Sequence, residues 1–243
     1  MDAAALSPAD QSLYDLLSGP DPKTVAEVVT RMQAIDALLP ANDGVKWFNL
    51  LYLMVTQQVD FRPPGGAWQS PLWLERLDVI FAGLYFSALR ESLAGRPVPS
   101  AWDALFAARY RTDVDRIQFA LAGMNAHINH DLALALVATD AALNVTPAVG
   151  SPEHRDYVSV NEMLNKLIPQ ELEVLAVDIL GVIAQDTGKV GRLLAFWNIC
   201  KAREVAWDFA NHLRILPRIG RDAALCAQDA MTGALGRAIV LMV

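Results

Sequence analysis

The chain has 243 residues, 53% of them hydrophobic and 19% charged, with a formal net charge of −7. This is long enough for one large core and apolar for a soluble protein. The acidic balance, with Lys and Arg scattered and no basic stripe, argues against nucleic acid as a partner, and two distant cysteines, Cys200 and Cys226, exclude a disulfide framework and a cysteine-based metal motif.

Helical periodicity dominates and strand signals are nearly absent. The pattern predicts helices over 8–18, 23–38, 43–60, 71–94, 100–110, 113–144, 152–166, 169–187, 189–215 and 218–238. Gly19-Pro20-Asp21-Pro22 separates the first two, and Pro40 to Gly44 the next two. Arg62-Pro63-Pro64-Gly65-Gly66 is a loop. Ser70-Pro71 and Ser151-Pro152 each set a capping serine before a proline in the first turn. Thr112-Asp113 opens the long central helix and Asn144 to Gly150 closes it. Gly188 reads as a stop, and Pro217 breaks the chain after His212. With no repeat or linker, the expected architecture is a single all-α domain over 1–243, a helical bundle around the buried 113–144 helix.

No uncharged stretch is apolar enough to cross a bilayer, and Met1 to Asp10 lacks the basic start and apolar core of a signal peptide. The expected location is cytoplasmic, without a membrane span. The apolar end, Ala238 to Val243, fits docking on the domain itself or on a second copy in a homodimer.

The central helix carries the chemistry. Within Phe119 to Leu136, five polar side chains interrupt a run of apolar and small residues: Asn125, His127, Asn129, His130 and Asp131. Buried polar groups must be paired or used. At 100° per residue, Leu121, Met124, Ile128, Leu132 and Leu136 form one stripe. His127 and Asp131, at i and i+4, flank it on one side, and Asn125 and Asn129 on the other. Gly123 and the alanines cover the back, with His130 among them at an exposed or half-exposed position. A carboxylate beside an imidazole orients it for acid–base work. The same spacing also suits two ligands of one metal ion, or a buried hydrogen-bond network.

Three other helices offer polar groups. His154, Tyr157 and Asn161 share a face at i, i+3 and i+7, either as a capped helix start or with His154 opposite His127. Glu204, Asp208 and His212 form a line read as a solvated face opposite Trp197, Val205 and Phe209. Arg203 and Trp207 are spaced for the guanidinium to stack on indole. Asp78, alone in Leu77 to Phe86, wants a partner such as Arg203 or His127. Tyr52 lies with Asn49 in a nearly continuous apolar helix.

The chain holds no glycine-rich phosphate loop, no His-Glu-x-x-His, no Gly-x-Ser-x-Gly and no paired Glu-x-x-His of the di-iron bundles.

Ala122 to Leu132, read as AGMNAHINHDL, resembles the signature of a bacterial family of unknown function, number 5995, common in actinomycetes. Arg31 to Asp36, Phe48 to Tyr52, Leu77 to Ala82, His154 to Asn161 and Ala202 to Trp207 resemble its other blocks. The resemblance brings no activity but emphasises Asn125, His127, Asn129, Asp131, His154, Asp156, Asn161, Arg203 and Trp207, with His130 at a variable place. His127 to Asp131 is also weakly similar to the His-x-x-x-Asp of the zinc-dependent phospholipase C and single-strand nuclease group, whose later histidine is missing here.

The expected function is an enzyme that binds a hydrophobic small molecule in an apolar pocket and performs acid–base chemistry, such as cyclisation, isomerisation or hydrolysis in secondary metabolism. His127 is the expected acid/base and Asp131 its orienting partner. Arg203 or His154 would stabilise negative charge. Asn125 and Asn129 would bind substrate oxygens, with Asp78, Tyr52, Asn161 and Trp207 as further contacts. No cofactor is expected. One alternative is a metal-dependent hydrolase, a divalent metal held by His127, Asp131 and His154. The other is a non-catalytic ligand-binding or scaffold protein.

Overall fold

Most helices begin where the sequence supplies a cap. In the computed structural model, which describes residues 6–61, 67–176 and 198–241 (side chains of 59–61 and 169–176 excepted), every regular element is helical. Helix α1 (Pro8–Leu17) starts with the Ser7 hydroxyl accepting from the Asp10 N–H at 3.1 Å. Thr24 does the same for α2 (Val25–Leu38), accepting from Glu27 at 3.2 Å. The Asp43 carboxylate accepts from Val45 at 3.0 Å to open α3 (Gly44–Phe61).

Helix α4 (Pro71–Leu93) departs from the expected pattern. Ser70 does not cap its own helix; its hydroxyl donates to Glu153 at 3.0 Å. The carboxylate of Asp156 takes the N–H groups of Gln69 and Ser70 instead, at 3.0 and 2.6 Å. A buried acid from a distant helix thus satisfies the positive end of α4.

After the short α5 (Ser100–Phe106), the expected 113–144 helix is three pieces. They are α6 (Arg116–Ala126), a π-helical turn at His127–Asp131, and α7 (Leu132–Leu143). Asp115, not Thr112 or Asp113, opens it, its N–H held by the Gln118 side chain at 3.1 Å. Asn144, at φ 52°, ends it in the left-handed conformation that asparagine tolerates.

Helix α8 (Pro152–Ala176) also corrects the sequence reading. The expected break near 167–168 is absent, although Pro169 has no N–H to donate to Asn165. Helix α9 (Ile199–Ile215) begins at Asn198, whose side chain accepts from the Lys201 N–H at 3.0 Å. Gly188, Trp197 and the remainder of the expected 169–187 and 189–215 helices lie outside the described residues. Helix α10 (Arg218–Leu241) completes the described chain.

The α6–α7 column is the axis of the bundle. Helix α3 packs on α6, α4 and α9 pack on α7, and α10 covers α5 and α6. Small residues set the closest crossings. A Cβ on Gly123 would lie 2.3 Å from the Phe48 ring, and one on Gly44 2.4 Å from the Phe119 ring. Each glycine of the α3–α6 pair thus receives a phenylalanine from the other helix. At one end, buried Arg109 pairs with fully buried Asp43 and reaches Asp10 at 3.0 Å, tying α1, α3 and the end of α5 together. No described helix is long and apolar enough to cross a membrane.

Candidate functional site

Three residues of the apolar stripe read from the sequence face a cavity. Met124, Ile128 and Leu132 form its floor, and Val55, Leu74, Leu77, Phe81, Val160, Leu164 and Ile199 its walls. Five polar residues interrupt this lining: Tyr52, Thr56, Asp78, His127 and Arg203. The cavity measures about 60 Å³. Four of the sequence-predicted site residues meet here from four helices: Tyr52 from α3, Asp78 from α4, His127 from the π turn and Arg203 from α9.

His127 is held on two sides. Its ring lies flat on Phe81, centroids 3.5 Å apart and planes within 6°, and Tyr52 meets it edge-on at 4.7 Å. Its Nδ1 is 3.1 Å from Oδ2 of Asp131. A carboxylate only accepts, so Nδ1 carries the proton and Nε2 is left with a lone pair. That Nε2 is buried, and nothing among the described residues hydrogen-bonds it. Burial pulls the imidazole below its ordinary value, and Asp131 only partly offsets this. His127 is therefore a neutral imidazole at pH 7.

Asp131 is buried and fully engaged. Its Oδ2 also accepts from Trp102 Nε1 at 3.0 Å, and its Oδ1 from His130 Nδ1 at 2.8 Å. Burial pushes this carboxyl up, but the bonds from His127 and His130 outweigh it and hold the group below its ordinary range. His130 is thus buried and paired, against the expectation of an exposed position. The cause is the π turn, whose wider winding departs from the 100° step used to project the sequence. Neither Trp102, in a seven-residue helix without a polar pattern, nor the stacking partner Phe81 carries a sequence signal for this site. His130 has one, in its place beside Asp131.

The asparagines turn away from the cavity. Asn129 Nδ2 donates to Asn125 Oδ1 at 2.9 Å, and Asn125 Nδ2 donates to the carbonyl of Thr232 on α10 at 2.9 Å. Gln228 of α10 donates to the Asn129 carbonyl. The pair fastens α10 to the central column and does not reach the cavity, because its flank of the stripe is the one α10 covers.

His154 does not approach His127. Its Nδ1 accepts from the Gly150 N–H at 3.1 Å and its ring meets Trp207 at 4.9 Å. It belongs to the capped start of α8, so the conditional metal set His127, Asp131 and His154 is not assembled. Among the described residues no three His, Cys, Asp or Glu side chains are grouped to hold a metal ion.

Arg203 is buried and lines the cavity, but it stacks on Tyr157 at 4.3 Å, not on Trp207. Its Nε donates to Asn161 Oδ1, and the Tyr157 hydroxyl donates to the Arg203 carbonyl at 2.6 Å. Asn161 and Tyr157 thus fix Arg203 from behind. Trp207 is buried against Trp73, His154 and Tyr157, outside the cavity lining. Glu204, Asp208 and His212 are exposed, as a solvated face. Val205, expected opposite them in the core, is exposed too. On the cavity wall, the Tyr52 phenol is pushed well up by burial, with the charges of Asp78 and Asp131 adding to it, so it stays a proton donor.

A family model described as a family of unknown function, DUF5995, matches residues 25–242. The chain belongs to this family. No curated protein and no solved structure matches the chain significantly. Of the residues emphasised by the family resemblance, His127 and Arg203 line the cavity and Asp131 and Asn161 bond to them, whereas Asn125, Asn129, His154, Asp156 and Trp207 serve contacts away from it.

Proposed function

We propose that this DUF5995 protein is an acid–base enzyme whose substrate is a hydrophobic small molecule. One observation carries the reading: His127 lines an apolar cavity with Nδ1 anchored on Asp131, and its buried Nε2 has no hydrogen-bond partner among the described residues. An unsatisfied buried acceptor is unfavourable in a resting protein and suits a group waiting for a proton.

In this reading His127 Nε2 takes a proton from the substrate and returns it later. Asp131 fixes the tautomer and stabilises the imidazolium that forms. The Tyr52 hydroxyl and the Arg203 guanidinium, on the same cavity, stabilise the negative charge that develops on the substrate. A cavity of about 60 Å³ is small beside the roughly 300–1,000 Å³ of pockets that enclose whole drug-sized ligands. The cavity therefore receives the reacting end of a molecule and not its whole body. Cyclisation and isomerisation need no second reactant there, which favours them over hydrolysis.

Incubation of hydrophobic metabolites with the protein in D2O tests this. Mass spectrometry is expected to find new product or deuterium incorporation with the wild type, and neither with folded His127→Ala. Turnover that survives in His127→Ala would sink the assignment.

A non-catalytic scaffold is the second reading, favoured by the full engagement of Asp131 with Trp102, His130 and His127. It predicts no turnover in either protein.

A further inference from the structure

Asp131 serves two imidazoles, and only one of them reaches the cavity. His127 binds its Oδ2; His130 binds its Oδ1 from the opposite side. The far nitrogen of His130, Nε2, lies 3.8 Å from Oδ1 of Asp229 on α10. Asp229 also accepts the N–H groups of Ser100 and Ala101 at the start of α5, at 3.0 and 2.9 Å. Exposure rises along this chain. The side chains of His127 and Asp131 are 1% and 3% exposed, His130 10% and Asp229 27%. Four titratable groups therefore connect the cavity wall to the surface.

We propose that His130 is a positioning residue for the His127–Asp131 pair, clamping the carboxylate and setting through its charge how strongly His127 holds a proton. The inference rests on reading His127 as the base. Two imidazoles around one carboxylate compete for its charge. His130 has a second carboxylate and a path to water, whereas His127 is enclosed by Phe81, Tyr52 and apolar side chains. The extra proton therefore resides on His130. The directions agree: burial pulls His130 down, but Asp131 and Asp229 together outweigh it and raise it. Of the elements packed on this turn, α10 presents Asp229 to His130. Helices α4 and α9 present Asp78 and Arg203 to the cavity on the His127 side.

The charge has a stated effect. While His130 is a cation, it partly cancels Asp131, and His127 stays a neutral base. When His130 loses its proton, Asp131 acts on His127 alone, and His127 becomes more basic.

Nitrogen-15 NMR of the imidazoles of the full chain, titrated with pH, tests this without a substrate. The variants are His130→Gln, which keeps an N–H donor for Asp131 but removes the charge, and Asp229→Asn at a part-exposed position. In the wild type, the His127 signals are expected to step at the midpoint of His130. Asp229→Asn lowers that midpoint by roughly one pH unit, and the His127 step follows it. His130→Gln abolishes the step and raises the midpoint of His127 itself by roughly one unit. His127 signals that ignore the titration of His130 in the wild type and in Asp229→Asn overturn the proposal, whether or not His130→Gln folds. Such a result leaves the base role of His127 to its turnover test, and absent turnover does not alter this coupling.

Discussion

The ring of Phe81 lies face to face on that of His127, centroids 3.5 Å apart. A carbon ring on α4 thus fixes the plane of the imidazole that Asp131 fixes at Nδ1. Phe81→Ala removes a buried wall of the cavity and the platform under His127. It is expected to cost about 3 kcal/mol, read by urea denaturation, and to broaden the His127 ring signals. Unchanged stability would contradict the packing role.

His127 and Asp131 are expected to differ in what they contribute to stability. His127→Leu removes a buried acceptor without a partner but also one of the three bonds to the Asp131 carboxylate, and is expected to cost roughly 1.5 kcal/mol. Asp131→Ala strands the Trp102 N–H and both histidines, with an expected loss of about 3 kcal/mol. Equal losses in the two variants would favour a purely structural network.

Much of the bundle was legible in the sequence because helical periodicity and caps are local. Ser151, whose hydroxyl accepts from the His154 N–H, and Asn144 act within a few residues of where they stand. The π turn is not legible, because no propensity marks it; within it Asp131 meets His127, His130 and Trp102. The cap of α4 is hidden for a related reason, since Asp156 lies more than 80 residues away from Gln69 and Ser70. In the candidate site, the spacing of His127 and Asp131 identified the pair. Which flank of the stripe met α10 and which met the cavity depended on tertiary packing, so Asn125 and Asn129 could not be separated from His127 by periodicity.

Arg109 supports the far end of the bundle. Arg109→Ala leaves Asp43, at 0% exposure, buried without its cation. The expected loss is about 3–5 kcal/mol by thermal or chemical denaturation. A loss below about 1 kcal/mol would mean that this pair behaves like an exposed one.

Stability should depend on pH through His130. Its folded-state value lies above the ordinary 6.5, so the folded chain binds this proton more tightly than the unfolded chain. That stabilisation is fully present below pH 6.5 and is lost as pH rises through the folded value. Asp131 acts at the acid end: its value lies below 3.8, so its contribution holds above 3.8 and is lost as pH falls through the folded value. The stability advantage of the wild type over His130→Gln should therefore be largest just below pH 6.5 and shrink in alkali. A difference independent of pH would contradict a charged His130.

The account stands on a neutral His127 whose proton is on Nδ1 and whose buried Nε2 has no hydrogen-bond partner among the described residues. Nitrogen-15 NMR of the His127 ring at pH 7, assigned by its loss in His127→Leu, measures this directly. The predicted spectrum shows a protonated Nδ1 and an unprotonated Nε2. A proton on Nε2, in the other tautomer or in the imidazolium, would contradict it.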